Sequence, residues 1–231
     1  MVGDLKIKIN ITPEAFSLGV KIVYAVSDGV SISKGGSEIG HQISEIMSQI
    51  REKYSLESLK ENPIIRAYRD FFWRIGIDPT KTRPSSEALL RRVLRGRQIP
   101  RINNVVDSGN LASMITLVPI GLYDVSKIEG RLSIRMAREG EKFQAIGSKE
   151  EELTGKELVI ADESKVIHLY PHRDSEKTKI DEHTKRVLVV ACGVPDVDVE
   201  LLMRAANLTL EFITKFAGGK IIQGPTSSIR P

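Results

Sequence analysis

The sequence predicts an α+β fold in which a group of helices comes before a group of antiparallel strands. Two patterns support this prediction. Between residues 37 and 117 apolar residues recur with the period of amphipathic helices, and from residue 130 onward they alternate with polar residues, as in half-buried strands. The composition, 41% apolar and 28% charged over 231 residues, is typical of a globular protein and excludes disordered and collagen-like chains.

The N-terminal quarter, residues 1–61, is predicted to form an extension that packs on the main unit. Two strands, one amphipathic helix and a short connector are expected at residues 5–9, 21–26, 38–54 and 55–62. The helix has isoleucines on one face, which must be buried, and charged residues on the other face. Ser37 has a hydroxyl suited to capping the N-terminus of this helix.

The main unit, residues 62–217, is predicted to begin with three helices and to end with a long one. Asn62 is a good N-cap, and Pro63 fits the first helical position because that position needs no backbone N–H. Asp107 or Ser108 is expected to cap the third helix. The four helices are predicted at residues 63–75, 87–95, 108–117 and 198–217.

Five runs with a two-residue period predict an antiparallel sheet or a small barrel before the last helix. These runs occupy residues 131–136, 142–146, 157–162, 166–170 and 187–192. A pair of glycines ends the last helix, and residues 218–231 are expected to form a C-terminal tail.

Positive charge is concentrated in one segment of the chain. Of 34 basic side chains, six are arginines between residues 83 and 101, where Glu87 is the one acid. On the predicted helix the arginines lie on the face opposite the leucines. Guanidinium groups have a geometry that suits hydrogen bonding to phosphate oxygens. We therefore predict an RNA-binding surface, against the alternative of a solvated helix face. The RNA-binding residues are predicted to be Arg91, Arg92, Arg95, Arg97 and Arg101.

Histidine and cysteine chemistry is less strongly indicated. Three of the four histidines lie between residues 168 and 183, but Pro171 breaks a helix that would align them and no cysteine supports them, so we predict neither a metal nor a cofactor. Cys192 ends a buried apolar run, which favours packing over nucleophilic use. The polar segment 172–186 either lines a ligand site or forms a solvated loop.

The expected cellular location rests on two observations. A single cysteine indicates a reducing cytoplasm. The longest uncharged stretch, residues 108–123, has only 16 residues and contains a proline, and residues 1–20 have no signal-peptide core. We therefore expect a cytoplasmic protein without a membrane span.

Four sequence runs carry a family resemblance. They are Y-R-D-F-F-W-R-I-G-I-D-P (68–79), R-P-S-S-E-A-L-L-R-R-V-L-R-G (83–96), I-P-R-I-N-N-V-V-D-S-G-N-L-A-S (99–113) and E-L-V-I-A-D-E (157–163). In this order, followed by the spacing R-D-S-x-x-T-x-x-x-x-x-T from Arg173 to Thr184, they resemble the B3/B4 domain of the β subunit of bacterial-type phenylalanyl-tRNA synthetase, which also occurs as free-standing small proteins. The resemblance implies a three-layer α+β fold with a barrel-like sheet.

The resemblance also implies a tRNA or aminoacyl-tRNA partner and a pocket in which the synthetase domain hydrolyses mischarged aminoacyl-tRNA. The substrate-binding residues that it implies are Asn110, Ser113, Asp124, Arg173, Asp174, Thr178 and Thr184. The synthetase's pocket histidine and glutamate correspond to Gly121 and Val189, so no catalytic residue is assigned. The alternative is a non-catalytic module that binds a small amino acid or a nucleotide-like ligand.

Overall fold

The computed structural model describes residues 6–228, in which five consecutive helices occupy residues 37–116 and the strands, with one further α-helix on each side, lie before and after them. The helices are α1 (Pro13–Ser17), α2 (Ser37–Lys53), α3 (Leu56–Glu61), α4 (Pro63–Arg74), α5 (Ser85–Leu94), α6 (Asn104–Thr116) and α7 (Val199–Ala217). The strands are β1 (Ile9–Ile11), β2 (Lys21–Asp28), β3 (Ile120–Asp124), β4 (Leu132–Met136), β5 (Glu139–Gln144), β6 (Glu150–Thr154), β7 (Leu158–Ala161), β8 (Val166–Leu169), β9 (Arg173–Asp174), β10 (Arg186–Gly193) and β11 (Lys220–Ser228). The predicted α+β class is confirmed.

Within residues 6–228 the strands form three sheets. A four-stranded antiparallel sheet has the order β11-β2-β10-β3, and a five-stranded sheet has the order β1-β4-β7-β8-β9. In the second sheet β1 joins β4 in parallel and the other neighbours are antiparallel. Strands β5 and β6 form a separate ribbon. The sheets are therefore open, and the expectation of a barrel-like sheet is corrected to stacked open sheets.

The four-stranded sheet lies between two layers. On one side Ala25 and Val189 share a core cluster with Val105 of α6 and Leu210 of α7. Neighbouring residues on a strand face opposite ways, and Val190 belongs to a second cluster that contains aromatic residues of α4 and apolar residues of the five-stranded sheet. The three layers are therefore the helices α6 and α7, the four-stranded sheet, and the five-stranded sheet together with α4.

Strand β2 occupies an interior place in the four-stranded sheet. It pairs with β10 over its full length, from Lys21 opposite Gly193 to Asp28 opposite Arg186, and with β11 on its other edge. Residues 220–228, for which the sequence indicates a tail without an element, form this edge strand. Strands from both ends of the described chain therefore meet in one sheet.

The isoleucine face of α2 is buried, as the sequence predicts. Ile43 and Ile46 share a cluster with Leu90 of α5 and Leu111 of α6. This packing fixes α5 by its apolar side and leaves the opposite side of α5 to face outward. Trp73, on the polar side of α4, is 58% exposed.

Three helix starts differ from the sequence prediction. Gly36 is the N-cap of α2, and Ser37 is its first residue and makes no capping hydrogen bond. Helix α6 begins earlier than predicted because the Asn103 side chain accepts the backbone N–H of Val106. The connector contains α3, which a capping box at Ser55 starts. Among the helices of residues 6–228, none combines the length and apolarity that a membrane crossing requires.

Candidate functional site

An open cleft of about 580 Å³ runs beside α5 and the loop after it. Cationic side chains line its wall, namely Lys81, Arg83, Arg91, Arg92, Arg95 and Arg97. Arg91 and Arg92 reach the cleft because α5 buries Leu90 and Val93 on its other side. The cleft is therefore a positively charged depression large enough for a chain of phosphates.

A buried carboxylate lies beneath this cleft. The side chain of Glu87 is fully buried, and its oxygens lie 3.1 Å from Arg69 Nε, 3.9 Å from Arg83 Nε and 3.7 Å from Arg91 Nη1. A buried carboxylate requires compensating charge, so Glu87 anchors Arg83 and Arg91 of the cleft wall, together with Arg69. Burial and the neighbouring Arg83 lower the pKa of Arg91, whose side chain is 15% exposed.

The other predicted RNA-binding arginines differ in their setting. Arg92 Nε donates a hydrogen bond to the carbonyl of Gln98 at 2.5 Å, while Arg95 and Arg97 are exposed. Arg101 lies elsewhere, where its Nε donates to the buried carboxylate of Asp107 at 2.6 Å. The structure therefore brings four of the five predicted arginines together at the cleft.

A smaller and more enclosed cavity of about 110 Å³ adjoins the cleft. The two spaces share four lining residues, Ser85, Leu89, Asn110 and His172. Polar groups converge on the cavity from α6, from β8 to β10 and from the loop between β8 and β9. They belong to Asn110, Ser113, His168, His172, Asp174 and Cys192.

The elements explain why these groups converge. Asn110 and Ser113 are three residues apart on α6 and therefore point from the same face of that helix. His168 and Asp174 are directly opposite each other in the β8–β9 pair, so their side chains lie on the same face of the sheet. The cavity is thus formed where the end of this hairpin meets α6.

His168 and Asp174 form a hydrogen-bonded pair in the cavity wall. His168 Nδ1 lies 2.9 Å from Asp174 Oδ1, and the histidine is only 3% exposed. A carboxylate accepts hydrogen bonds, so Nδ1 carries the proton of the neutral ring and Nε2 is left as an acceptor. Nε2 has no hydrogen-bond partner among residues 6–228. The rings of Tyr123 and Tyr170 approach the imidazole edge-on, each with a centroid distance of 6.1 Å.

Three further polar groups of the cavity differ in their chemistry. The buried Ser113 Oγ has no hydrogen-bond partner in the described part of the chain. Burial and the nearby Asp174 raise the pKa of the Cys192 thiol well above its usual value, so the thiol stays protonated and is a poor nucleophile. Burial, His168 and Arg173 lower the pKa of His172 from 6.5 to about 3, so this imidazole is neutral at pH 7.

Four predicted substrate-binding residues lie outside this cavity. Asp124 and Thr184 are buried and joined to each other, with Thr184 Oγ1 donating to Asp124 Oδ2 at 2.8 Å. Thr178 is buried in a short 3₁₀ helix, and the exposed Arg173 lies 3.4 Å from a carboxylate oxygen of Glu151. The predicted residues that the structure brings together in the cavity are Asn110, Ser113 and Asp174.

The resemblance assigns the position of the synthetase's pocket histidine to Gly121, and the surroundings of Gly121 leave no room for a side chain. Gly121 lies beneath the phenol of Tyr123, and a Cβ at Gly121 would collide with the Tyr123 hydroxyl. A side chain at this place is therefore incompatible with the buried tyrosine. The histidines that do line the cavity, His168 and His172, come from β8 and the loop after it. The sequence prediction gives His168 no role, and it includes His172 in the polar segment 172–186, which either lines a ligand site or forms a solvated loop.

Comparison with known proteins agrees with this architecture. The family model for the B3/4 domain matches residues 67–219, a range that includes the cleft and the cavity. The chain belongs to the B3/4 domain family. This B3/4 domain is similar to the phenylalanine–tRNA ligase β subunit of Aquifex aeolicus, with 31% identity over 146 residues, and to that of Carboxydothermus hydrogenoformans, with 32% identity over 151 residues.

These alignments cover 53% and 65% of this chain but 19% of each relative. The B3/4 domain chain therefore spans about a fifth of the length of these curated relatives. Among solved structures, an N-terminal fragment of the phenylalanyl-tRNA synthetase β subunit from Pyrococcus horikoshii has a TM-score of 0.53 at 17% identity. The match covers 94% of this chain and 50% of the fragment, and it concerns the fold.

Proposed function

We propose that this B3/4 domain binds the acceptor end of an aminoacyl-tRNA and hydrolyses its ester bond in trans. The observation that carries the proposal is the shared wall of Ser85, Leu89, Asn110 and His172, which joins the cationic cleft to the polar cavity. A backbone held in the cleft would place its terminal group at the cavity mouth. A charged tRNA end has this combination of phosphates followed by one small acyl group.

The cleft supplies the groups that phosphates need. Arg92, Arg95 and Arg97 present guanidinium groups along it, and such groups bind phosphate oxygens in a bidentate way. Contacts of this kind fix the position of an RNA and carry no sequence information. The relatives are subunits of phenylalanine–tRNA ligases, which supports tRNA as the RNA concerned.

The cavity supplies groups suited to an ester. Asn110 offers an amide and Ser113 a hydroxyl on one helix face, and both groups can donate to a carbonyl oxygen. Donors aimed at the position of a developing oxyanion stabilise the transition state of ester hydrolysis. The enclosed shape excludes bulk solvent from the reacting atoms.

The RNA-binding part of the proposal is tested by the salt dependence of tRNA binding. A variant with Arg92, Arg95 and Arg97 changed to Gln should bind tRNA more weakly. The slope of log K against log salt should become about 2 smaller, since each lost phosphate contact removes roughly 0.7–0.9. A control variant with the exposed Arg131, Arg138 and Lys149 changed to Gln removes the same charge at other places. Equal effects of the two variants would contradict a specific cleft.

The hydrolytic part is tested with a panel of aminoacyl-tRNAs that includes tyrosyl-tRNA(Phe). Release of the amino acid should be faster with the protein than in buffer, and it should slow in the variant Asn110→Ala. Binding of tRNA without faster release from any charged tRNA would leave a binding module. Absence of tRNA binding together with thermal stabilisation by a free amino acid would favour the small-ligand alternative.

A further inference from the structure

We infer that His168 is the general base of this hydrolysis and that Asp174 holds its imidazole in the reactive tautomer. The inference rests on the proposed function, because that function supplies the ester substrate. It assigns the reaction to a histidine on β8, whereas Gly121 lies on β3.

The geometry points to a base and an orienting partner. Asp174 accepts the Nδ1 hydrogen of His168 at 2.9 Å, and this contact directs the Nε2 lone pair away from the carboxylate. Nε2 is buried in the lining of the cavity without a hydrogen-bond partner from residues 6–228. A buried acceptor that the protein leaves unpaired costs free energy and therefore requires an explanation, and a catalytic role is one that accounts for it. The flanking tyrosine rings hold the imidazole plane.

A second unpaired group lies in the same cavity. Ser113 Oγ has no partner in the described chain and makes no hydrogen bond to His168, so the hydroxyl is not activated as a nucleophile. It is free to donate to the ester carbonyl. The nucleophile is therefore a water molecule, which His168 activates. Ser113 and Asn110 donate hydrogen bonds to the oxygen of the carbonyl that the water attacks.

The reaction balances with these groups alone. The water oxygen bonds to the carbonyl carbon of the ester while its proton passes to His168 Nε2. The tetrahedral oxyanion then collapses, the bond from carbon to the ribose oxygen breaks, and His168 returns the proton to that oxygen. The products are the free amino acid and a tRNA end with its hydroxyl restored. Asp174 keeps its charge throughout and stabilises the imidazolium that forms in between.

The other side chains of the cavity are less suited to this role. The Cys192 thiol is kept protonated by burial. The His172 imidazole has a pKa of about 3, which makes it a weak base at neutral pH. It also has no carboxylate bonded to its ring in the part of the chain that is described. His168 combines burial with an orienting carboxylate.

The first test uses the full chain and the aminoacyl-tRNA that it deacylates fastest. His168→Gln should lower kcat by about 10²-fold or more, which is the usual contribution of a general base, with tRNA affinity unchanged. Asp174→Asn should lower kcat as well, because an amide can hold the wrong tautomer. His183→Gln is the matched control, since that side chain is 87% exposed, and its kcat should stay at the wild-type value. Melting curves show whether each variant is folded.

The second test separates catalysis from structural support. Imidazole added to the His168→Gly variant should restore deacylation in proportion to the unprotonated imidazole, whereas a side chain that only braces the hairpin would not be replaced in this way. The same variants are measured on p-nitrophenyl acetate, an ester that requires no RNA contact. Its hydrolysis should also depend on His168 and on Asp174.

The outcomes distinguish this inference from the proposed function. If the folded His168→Gln variant deacylates tRNA at the wild-type rate, His168 is not the general base, and the proposed function is unaffected. Hydrolysis of p-nitrophenyl acetate that depends on His168, without any action on charged tRNA, supports the base and contradicts the proposed substrate. If the wild-type protein hydrolyses neither ester, the assignment of His168 as a general base is wrong, whether or not the protein binds tRNA. If His168→Gln does not fold, Asp174→Asn and the rescue experiment decide.

Discussion

The imidazole of His172 stays neutral although it lies on the wall between a cationic cleft and a polar cavity. Protonation would place a positive charge in a partly buried site beside His168 and Arg173, and these causes lower its pKa to about 3. A neutral imidazole adds no positive charge to this wall and can still donate one hydrogen bond and accept another. The low pKa also links the stability of the protein to pH.

His172 should make the protein less stable in mild acid. The unfolded chain takes up a proton as the pH falls through 6.5, whereas the folded chain does not until about pH 3, so stability is lost as the pH falls between these values. Between pH 7.5 and 5 the loss due to His172 should be about 2 kcal/mol, at 1.4 kcal/mol per pKa unit. Urea unfolding at both pH values measures it.

The variant His172→Gln isolates this effect, because it removes this one imidazole and substitutes no other titratable group. Its loss of stability between pH 7.5 and 5 should be smaller than that of the wild type by the amount given above. His183→Gln, which changes an exposed imidazole, should behave like the wild type. Equal losses in all three proteins would show that His172 titrates normally in the folded state.

The site residues differ in how far the sequence reveals them. Asn110, Ser113 and Asp174 follow from the family resemblance, because they lie in its motifs or close to them. The role of His168 does not follow, since it depends on the register of β8 against β9, which places residue 168 opposite residue 174. A histidine within the apolar run of a buried strand is the one local signal for it.

Helix α5 is more than a basic surface helix, because its one acidic residue is buried and faces three arginines. Glu87→Gln would leave Arg69, Arg83 and Arg91 without a neutralising charge. We expect the free energy of unfolding to fall by about 3 kcal/mol, at the lower end for a broken buried ion pair because the arginines are partly exposed. Chemical unfolding of the variant measures this loss.

Glu61→Gln is the control for Glu87→Gln. Glu61 pairs with Arg66 on the surface, where both side chains are mostly exposed, and exposed pairs contribute little to stability. A cost for Glu87→Gln as small as that for Glu61→Gln would mean that the arginines do not depend on the buried carboxylate. It would also remove the reason for treating Glu87 as the support of the cleft.

Helices were easier to predict than strands for identifiable reasons. Helices α2, α4, α5 and α7 have strong apolar stripes, and their observed bounds lie within a few residues of the predicted ones. Strand β3 is buried on both faces and so has no alternation. Strand β11 is mostly exposed, contains Gly224 and Pro225, and has irregular register. Pairing with distant partners, and not local pattern, determines these two strands.

The N-terminal residues contribute to the molecule as a whole. A truncated chain that begins at Asn62 would lack β2, so β10 and β11 would lose the strand between them and the apolar residues that β2 buries would be missing. It would also expose the cluster that the isoleucines of α2 cover. We expect this chain to precipitate or to bind a hydrophobic dye and to show no cooperative melting.

The comparison is between melting curves and dye binding of the truncated and full chains at equal concentration. A truncated chain that is soluble and melts cooperatively at the same temperature as the full chain would contradict the prediction. The chain from residue 62 onward would then fold without the N-terminal extension.

The interior place of β2 also determines when the four-stranded sheet can form during synthesis. The ribosome makes β2 early, yet Val23 pairs with Ala191 of β10 and with Ser227 of β11. At roughly 5–20 residues per second, an apolar strand waits about 10–30 s for its first partner. During that interval the strand presents unpaired backbone groups, which is how edge strands cause aggregation. The nascent chain is therefore most prone to misassociate before residue 191 emerges, and slower translation lengthens that exposure.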